Sequence, residues 1–245
     1  MDSIFWIAPL IFLLAGTVKG AIGIGLPTTI IALMSLFVDP RVAVALGLSP
    51  MILSNVWQVH REGGWRAPLA RFWPFIAVCA VFLFIFSQFA AEAETEAILA
   101  FTGVAVAIFS AISLIGRPPE MPVGWERPAQ VAAGVLSGGM GGLTGIWSPP
   151  MLVMLLALRL DRSAFVCTIG VLLCLGAAPL QIGYVAAGLL TWDLFALSLA
   201  LCIPVFAGFA LGERIRRRMD ASKFQTLFLI FFFIMGLNMV RQALW

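Results

Sequence analysis

Long apolar runs dominate the chain and decide its fold class. They cover residues 4–18, 72–91, 97–115, 194–211 and 224–240. Each is close to the roughly 17–25 residues that a membrane-spanning helix needs. A transmembrane barrel would instead show alternating segments of about ten residues, and the sequence has no such alternation. The pattern therefore predicts an all-α, polytopic helical membrane protein with about eight to ten membrane segments.

Two stretches rich in Gly and Pro interrupt the apolar pattern: GTVKGAIGIGLPTT at 16–29 and SGGMGGLTGIWSPP at 137–150. In a helix interior, Gly costs about 1 kcal/mol and Pro about 3 kcal/mol. Each stretch is therefore predicted to break a helix or to join two helices in a hairpin. The second segment at each break is expected at about 28–38 and 150–160. It would begin after its proline and turn its free N–H groups toward the break.

The two stretches belong to an internal repeat with a shift of 122 residues. Chance is a poor explanation for a register that aligns glycines, a proline and an aspartate together. The sequence therefore predicts two homologous halves, residues 1–118 and 119–245, within one membrane domain, joined through the polar segment 117–127. The matched pairs are Gly16 with Gly138, Gly20 with Gly142, Gly23 with Gly145, Ile24 with Ile146, Pro27 with Pro149, Leu33 with Leu155, Leu36 with Leu158 and Asp39 with Asp161.

Basic residues then indicate the topology. If each broken region enters the membrane and returns, twelve Lys and Arg residues share one side and only Arg41 and Arg241 face the other. If each broken region crosses once, the split is eight to six. The positive-inside rule favours the first arrangement. It gives ten segments in two inverted five-segment repeats, with basic loops cytoplasmic in a cell inner membrane. Inverted repeats with broken helices are typical of secondary transporters. The basic loops are expected at 59–71, 116–128, 159–162 and 212–223.

Most candidate substrate-binding residues lie at the two breaks. Lys19 is the only charge inside the apolar regions, so it would neutralise an anion or extend its ammonium to the lipid headgroups. The glycines would let a ligand approach the backbone, or let helices cross closely. Trp147 would line a pocket or pack. The candidates at the breaks are Lys19, Gly20, Gly23, Gly25, Thr28, Thr144, Gly145, Trp147 and Ser148.

Three amide side chains complete the candidate set. Asn55 lies about one helical turn before Gln58, and Gln58 matches Gln181 when the shift is increased by one residue. An amide can recognise a polar solute without a formal charge. Hydrogen bonds between helices are an equally good explanation for these residues.

The sequence predicts no catalytic residue, no metal site and no cofactor. The four cysteines form no CxxC pair, and His60 is the single histidine. A Walker motif is absent from the sequence. Cys167 and Cys174 share a helix face, which leaves a membrane thiol–disulfide enzyme as an alternative to apolar packing. The expected partners are a small anionic substrate and membrane lipid, with no nucleic acid; a homodimer stays open.

Three stretches carry a resemblance to a known family: GVLSGGMGGLTGIWSPPMLVMLLAL at 134–158, LDRSAFVCTIG at 160–170 and GTVKGAIGIGLPTTIIAL at 16–33. They resemble the TauE/SafE sulfite exporter family, also called the TSUP or 4-toluene sulfonate uptake permease family. Many members have three consecutive glycines in each break. Here the matching positions read Gly-Ile-Gly-Leu from Gly23 and Gly-Ile-Trp-Ser from Gly145.

The resemblance implies a transport function and no enzymatic activity. The expected substrates are small sulfur-containing anions: sulfite, sulfoacetate or other organosulfonates. The expected mechanism is secondary transport by alternating access. An anion channel and a carrier of small organic carboxylates are the alternatives.

Overall fold

The computed structural model describes residues 2–116, 120–218 and 221–244, and this part of the chain folds into eleven α-helices. The all-α fold class predicted from the sequence is confirmed. Residues 117–119 of the connecting segment and residues 219–220 of the basic loop lie outside the described residues. The helices are α1 (Asp2–Ile22), α2 (Leu26–Met34), α3 (Pro40–Glu62), α4 (Arg66–Ala90), α5 (Thr95–Ile115), α6 (Glu126–Thr144), α7 (Ser148–Ala157), α8 (Arg162–Ala186), α9 (Trp192–Ala200), α10 (Cys202–Arg218) and α11 (Ala221–Leu244).

Five helical stretches in the described chain are long and apolar enough to cross a membrane, so this is a multi-pass membrane protein. The basic loops in the structure are shorter than the sequence predicted. Helix α3 continues to Glu62 and α4 starts at Arg66, while α10 continues to Arg218. Loop bounds 59–71 and 212–223 are therefore wrong, because the arginines occupy helix ends. The five stretches are Pro40–Glu62, Arg66–Ala90, Thr95–Ile112, Ser163–Ala186 and Trp192–Ile215.

Both predicted helix breaks are present, but the short helices that follow them begin earlier than expected. Helix α2 starts at Leu26 and α7 at Ser148, each one residue before a proline. The expected bounds 28–38 and 150–160 are therefore wrong. Proline fits inside a first helical turn because the N–H groups there have no partner within the helix. With 9 and 10 residues, the two helices are roughly 14–15 Å long.

The described chain forms two compact units. Unit 1 consists of Met1–Pro50, Ala93–Ile115 and Leu190–Trp245, and unit 2 of Met51–Glu92 and Gly116–Leu189. Each unit therefore takes residues from both predicted halves, and α3 contributes its first part to unit 1 and its second part to unit 2. The division into halves at residue 118 stays a prediction.

Helices α1 and α10 cross in unit 1 with their backbones in contact. A Cβ at Gly16 would stand 2.1 Å from the carbonyl oxygen of Val205, and a Cβ at Gly20 would stand 2.1 Å from that of Phe209. Real Cβ atoms do not come this close, so only glycine fits. Small residues at such crossings let membrane helices gain van der Waals contact along their backbones. The reverse contacts are those of Gly208 with the carbonyl of Leu13 and Gly212 with that of Thr17.

Unit 2 contains an equivalent crossing between α4 and α6. A Cβ at Gly138 would stand 2.8 Å from the carbonyl oxygen of Cys79, and one at Gly142 would stand 2.9 Å from that of Leu83. These glycines lie 122 residues after Gly16 and Gly20, which make the same kind of contact in unit 1. The repeat in the sequence is thus matched by a repeat in helix packing.

Polar side chains compensate for two helix distortions. In unit 1, Pro50 has no N–H for the carbonyl of Leu46. The hydroxyl of Ser198 on α9 donates to that carbonyl at 2.8 Å and accepts from the N–H of Ser49 at 3.3 Å. A buried carbonyl in α3 therefore keeps a donor although the helix contains a proline.

In unit 2, α4 is distorted at Phe72, whose φ of −106° and ψ of 16° are not helical. Gln130 of α6 donates its Nε2–H to the carbonyl of Arg71 at 3.2 Å. The guanidinium of Arg71 holds Glu126 of α6 through two bonds, of 2.6 and 3.0 Å. These contacts join α4 and α6 at one end of their crossing.

Glycine packing between α1 and α10 yields a stability prediction. Gly208→Ala places a Cβ 2.0 Å from the carbonyl oxygen of Leu13, so the helices must separate. We expect a loss of about 1–3 kcal/mol from overpacking, seen as a lower midpoint of thermal unfolding in detergent. Gly139→Ala is the matched control, because its Cβ would meet nothing closer than the Phe86 ring at 3.9 Å. Equal midpoints for the two variants would contradict the backbone contact.

Candidate functional site

The first break lies in unit 1, and hydrogen bonds within the break satisfy part of its backbone. Gly23 and Gly25 have positive φ of 92° and 98°, a conformation that glycine adopts without steric cost. The N–H of Gly23 donates to the carbonyl of Lys19 at 2.6 Å. The hydroxyl of Thr29 donates to the carbonyl of Gly25 at 2.7 Å. Such pairing is required wherever backbone leaves a helix inside a membrane.

Lys19 is buried in the last turn of α1, with 1% of its surface exposed. This burial argues against an ammonium that extends to the lipid headgroups. A buried ammonium is costly unless other groups compensate its charge. Such a charge is by default a candidate for function. Thr28, in the first turn of α2, is also buried.

Two glycines of the first break have packing roles. Gly20 faces α10, against the carbonyl of Phe209. A Cβ at Gly25 would stand 3.0 Å from Cγ1 of Val18 and 3.4 Å from the ring of Phe232 on α11. Close helix packing, the alternative to substrate binding, therefore accounts for both glycines. Their substrate-binding role stays a prediction.

The second break lies in unit 2 and closes its backbone in the same manner. Gly145 has φ 72°, and its N–H donates to the carbonyl of Gly141 at 2.8 Å. The hydroxyl of Thr144 donates to the carbonyl of Met140 at 2.9 Å and accepts from the N–H of Ile146 at 3.1 Å. Thr144 thus uses its hydroxyl to hold the break, and a substrate contact by this residue stays a prediction.

Trp147 fills the second break and is only 1% exposed. A Cβ at Gly141 would stand 2.5 Å from the Cβ of Trp147. A Cβ at Gly176 of α8 would stand 2.8 Å from the Nε1 of Trp147. Among the residues that the structure describes, Nε1 has no hydrogen-bond partner. A buried donor without an acceptor costs about 1–3 kcal/mol. A ligand or a water molecule is the usual explanation for such a group.

The first turn of α7 offers fewer backbone donors than the sequence led us to expect. Ser148 begins the helix, and Pro149 and Pro150 follow it. Proline has no N–H, so these two positions cannot donate to a ligand. Two of the four N–H groups that a helix normally leaves unpaired at its start are therefore missing. In α2 only Pro27 removes such a donor.

The amide residues are bound to helix backbone in different ways. Asn55 donates to the carbonyl of Met51 in its own helix at 2.8 Å. Gln58 donates its Nε2–H to the carbonyl of Val166 on α8 at 2.9 Å, so it forms the interhelical bond considered above. Its Oε1 is buried and has no hydrogen-bond partner within the described part of the chain. Gln181 is half-buried on α8. A substrate role for these three residues stays a prediction.

The cysteines take part in packing. Cys167 lies in a buried cluster with Val59 and Val171, and its thiol donates to the carbonyl of Gly64 at 3.2 Å. All four cysteines of the chain are buried and are not joined in disulfides within the described structure. These contacts support the packing interpretation of Cys167.

Two residues of unit 2 that bear on the second break were not among the sequence candidates. Ser137 is fully buried on α6, and its Oγ has no hydrogen-bond partner in the ranges that the structure describes. Its place in the glycine-rich stretch could have drawn attention to it. Gly176 gave no sequence signal, because a single glycine in an apolar helix gains meaning only from its neighbours in space.

The two breaks differ in which of two matched positions holds a large side chain. Lys19 and Gly141 match under the shift of 122, as do Gly25 and Trp147. Each break thus has one large residue and one glycine at this pair of positions. In unit 2 the reason is steric, since a Cβ at Gly141 would overlap Trp147. The large residue is a cationic donor in unit 1 and an uncharged indole donor in unit 2.

Together, the helices and the two breaks define a polytopic membrane protein of the transporter type. The family model for the sulfite exporter TauE/SafE matches residues 8–239, which include both breaks. The chain therefore belongs to the TauE/SafE sulfite exporter family, whose members are transporters. No curated protein and no solved structure matches it significantly.

Position 176 provides a test of the second break. Gly176→Ala would bring a Cβ within 2.8 Å of Nε1 of Trp147, so the indole must move. We expect the affinity for a transported anion to fall about tenfold, which corresponds to 1.4 kcal/mol. Ligand-dependent thermal shifts of purified protein would measure this change. Gly139→Ala should keep the wild-type affinity. Equal affinities for the two variants would show that position 176 does not belong to the site.

Proposed function

We propose that this protein is a secondary transporter that moves small sulfur-containing anions, such as sulfite or an organosulfonate, across the cell inner membrane. The family match over residues 8–239 is the observation that supports a sulfur-containing substrate. Each break would be able to engage substrate, and the protein would alternate between states open to either side. The basic helix ends and loops would face the cytoplasm, as the positive-inside rule requires.

The chemistry of the breaks supports an anionic substrate. Lys19 contributes a buried positive charge to the first break, and Trp147 contributes a buried N–H donor to the second. A sulfonate or sulfite group presents three oxygens, each able to accept hydrogen bonds. Hydrogen bonds to a charged group are worth about 1.5–3 kcal/mol, more than those between neutral groups. Few such contacts are enough for recognition in a site that excludes water.

Lys19 gives the direct test of this function. Wild-type protein in proteoliposomes should show saturable isethionate or sulfite flux. It should also show counterflow, in which unlabelled substrate on the far side accelerates labelled uptake. Lys19→Gln should raise KM about tenfold or more, because it removes a charged donor. Lys19→Arg keeps the charge and should restore part of the affinity.

The possible outcomes separate the alternatives. Flux without counterflow would identify a channel. Faster flux of small carboxylates than of their sulfonate counterparts would identify a carboxylate carrier. Wild-type kinetics in Lys19→Gln would exclude the ammonium from substrate binding. If none of these anions crosses the membrane through the wild-type protein, the proposed function is wrong.

A further inference from the structure

A second buried polar group lies on α6, the helix against which the Cβ of Trp147 packs. Ser137 stands four residues before Gly141 on α6, and therefore one turn away on the same helix face. Gly141 is the residue against which the Cβ of Trp147 packs. In the part of the chain that the structure describes, neither the Oγ of Ser137 nor the Nε1 of Trp147 has a hydrogen-bond partner. Unit 2 thus has two buried groups that can donate to a ligand, one in the second break and one on α6, a turn before Gly141.

The neighbours of the Trp147 side chain include apolar residues from three helices. Gly141, Gly176 and Leu83 are the residues of α6, α8 and α4 found against the Trp147 side chain. The start of α7 lacks two backbone donors because of Pro149 and Pro150. Ligand recognition by Trp147 and Ser137 therefore relies on uncharged side-chain donors.

Uncharged donors discriminate between ligands of different charge. The cost of taking an ion out of water grows with the square of its charge, so a dianion costs about four times as much as a monoanion of the same size. The number of donors in the site does not increase with the charge of the ligand. A site with few neutral donors can offset the smaller cost far more readily than the larger one.

We propose that the second break binds its substrate through the indole N–H of Trp147 and the hydroxyl of Ser137, and therefore selects an oxyanion group with a single charge, such as a sulfonate, over a doubly charged one. This inference rests on the proposed function, since it specifies the group that the transporter recognises. Trp147 and Ser137 thereby become specificity-determining residues that contact the substrate.

Methanesulfonate and sulfate are suitable probes, because they have similar size and carry one and two charges at neutral pH. Purified wild-type protein should bind methanesulfonate at least about tenfold more tightly than sulfate, as measured by calorimetry or thermal shift. Trp147→Phe keeps an aromatic ring and removes the donor, and Ser137→Ala removes the hydroxyl. Each should weaken methanesulfonate binding by roughly fivefold to a hundredfold, the range for loss of a buried hydrogen bond.

Matched controls separate these effects from damage to the fold. Trp73→Phe changes a tryptophan of α4 that is 58% exposed. Ser87→Ala removes a buried hydroxyl that already donates to the carbonyl of Phe84 at 2.7 Å. Both controls should retain wild-type affinity for methanesulfonate. If Trp147→Phe does not fold, the charge preference of the wild type and the Ser137→Ala variant still decide the question.

Two results would overturn the inference and leave the proposed function intact. The first is transport of both anions by wild-type protein with equal affinity for sulfate and methanesulfonate. The second is unchanged methanesulfonate affinity in both Trp147→Phe and Ser137→Ala. Failure of the proposed function would look different, because the wild-type protein would then neither bind nor transport any sulfur-containing anion.

Discussion

Backbone hydrogen bonding at the two helix breaks is the constraint on which this structure depends. Lipid supplies no partner for a free N–H or C=O group, so backbone that leaves a helix inside a membrane must find its partners in protein or in a water-filled cavity. Both breaks do so in the same way, with a left-handed glycine whose N–H returns to the preceding turn. Gly23 bonds to Lys19, and Gly145 bonds to Gly141. A threonine hydroxyl adds a further bond at each break: Thr29 donates to the carbonyl of Gly25, and Thr144 accepts from the N–H of Ile146.

Close helix crossings keep the helices that end in these breaks in place. At Gly16 and Gly20, α1 packs directly against the backbone of α10. At Gly138 and Gly142, α6 packs in the same way against α4. On each helix the two glycines are four residues apart and therefore occupy one face. A helix fixed by backbone contact has little freedom to rotate. The large side chain at each break is therefore held in a defined position, which is a requirement for selective binding.

The sequence predicted the features that depend on local chemistry and on the repeat. Apolar runs predicted a polytopic helical protein, and glycine with proline predicted both breaks. The first helical turns were misplaced because a proline can start a helix as well as follow its beginning, and the sequence does not say which. Gly176 escaped notice for a different reason. Its importance comes from the indole of Trp147, which is 29 residues away in the sequence and reaches it only through tertiary packing.

The predicted duplication explains why the breaks look alike, and the positions of Lys19 and Trp147 show where they differ. Gly141 takes the place of Lys19 in the second repeat, which makes room for Trp147 where the first repeat has Gly25. The backbone of the break is unchanged by this exchange, because Gly23 and Gly145 keep the same hydrogen bond. Only the donor differs: an ammonium in one unit, an indole in the other. The repeated backbone geometry therefore carries two chemically different donors, one in each unit.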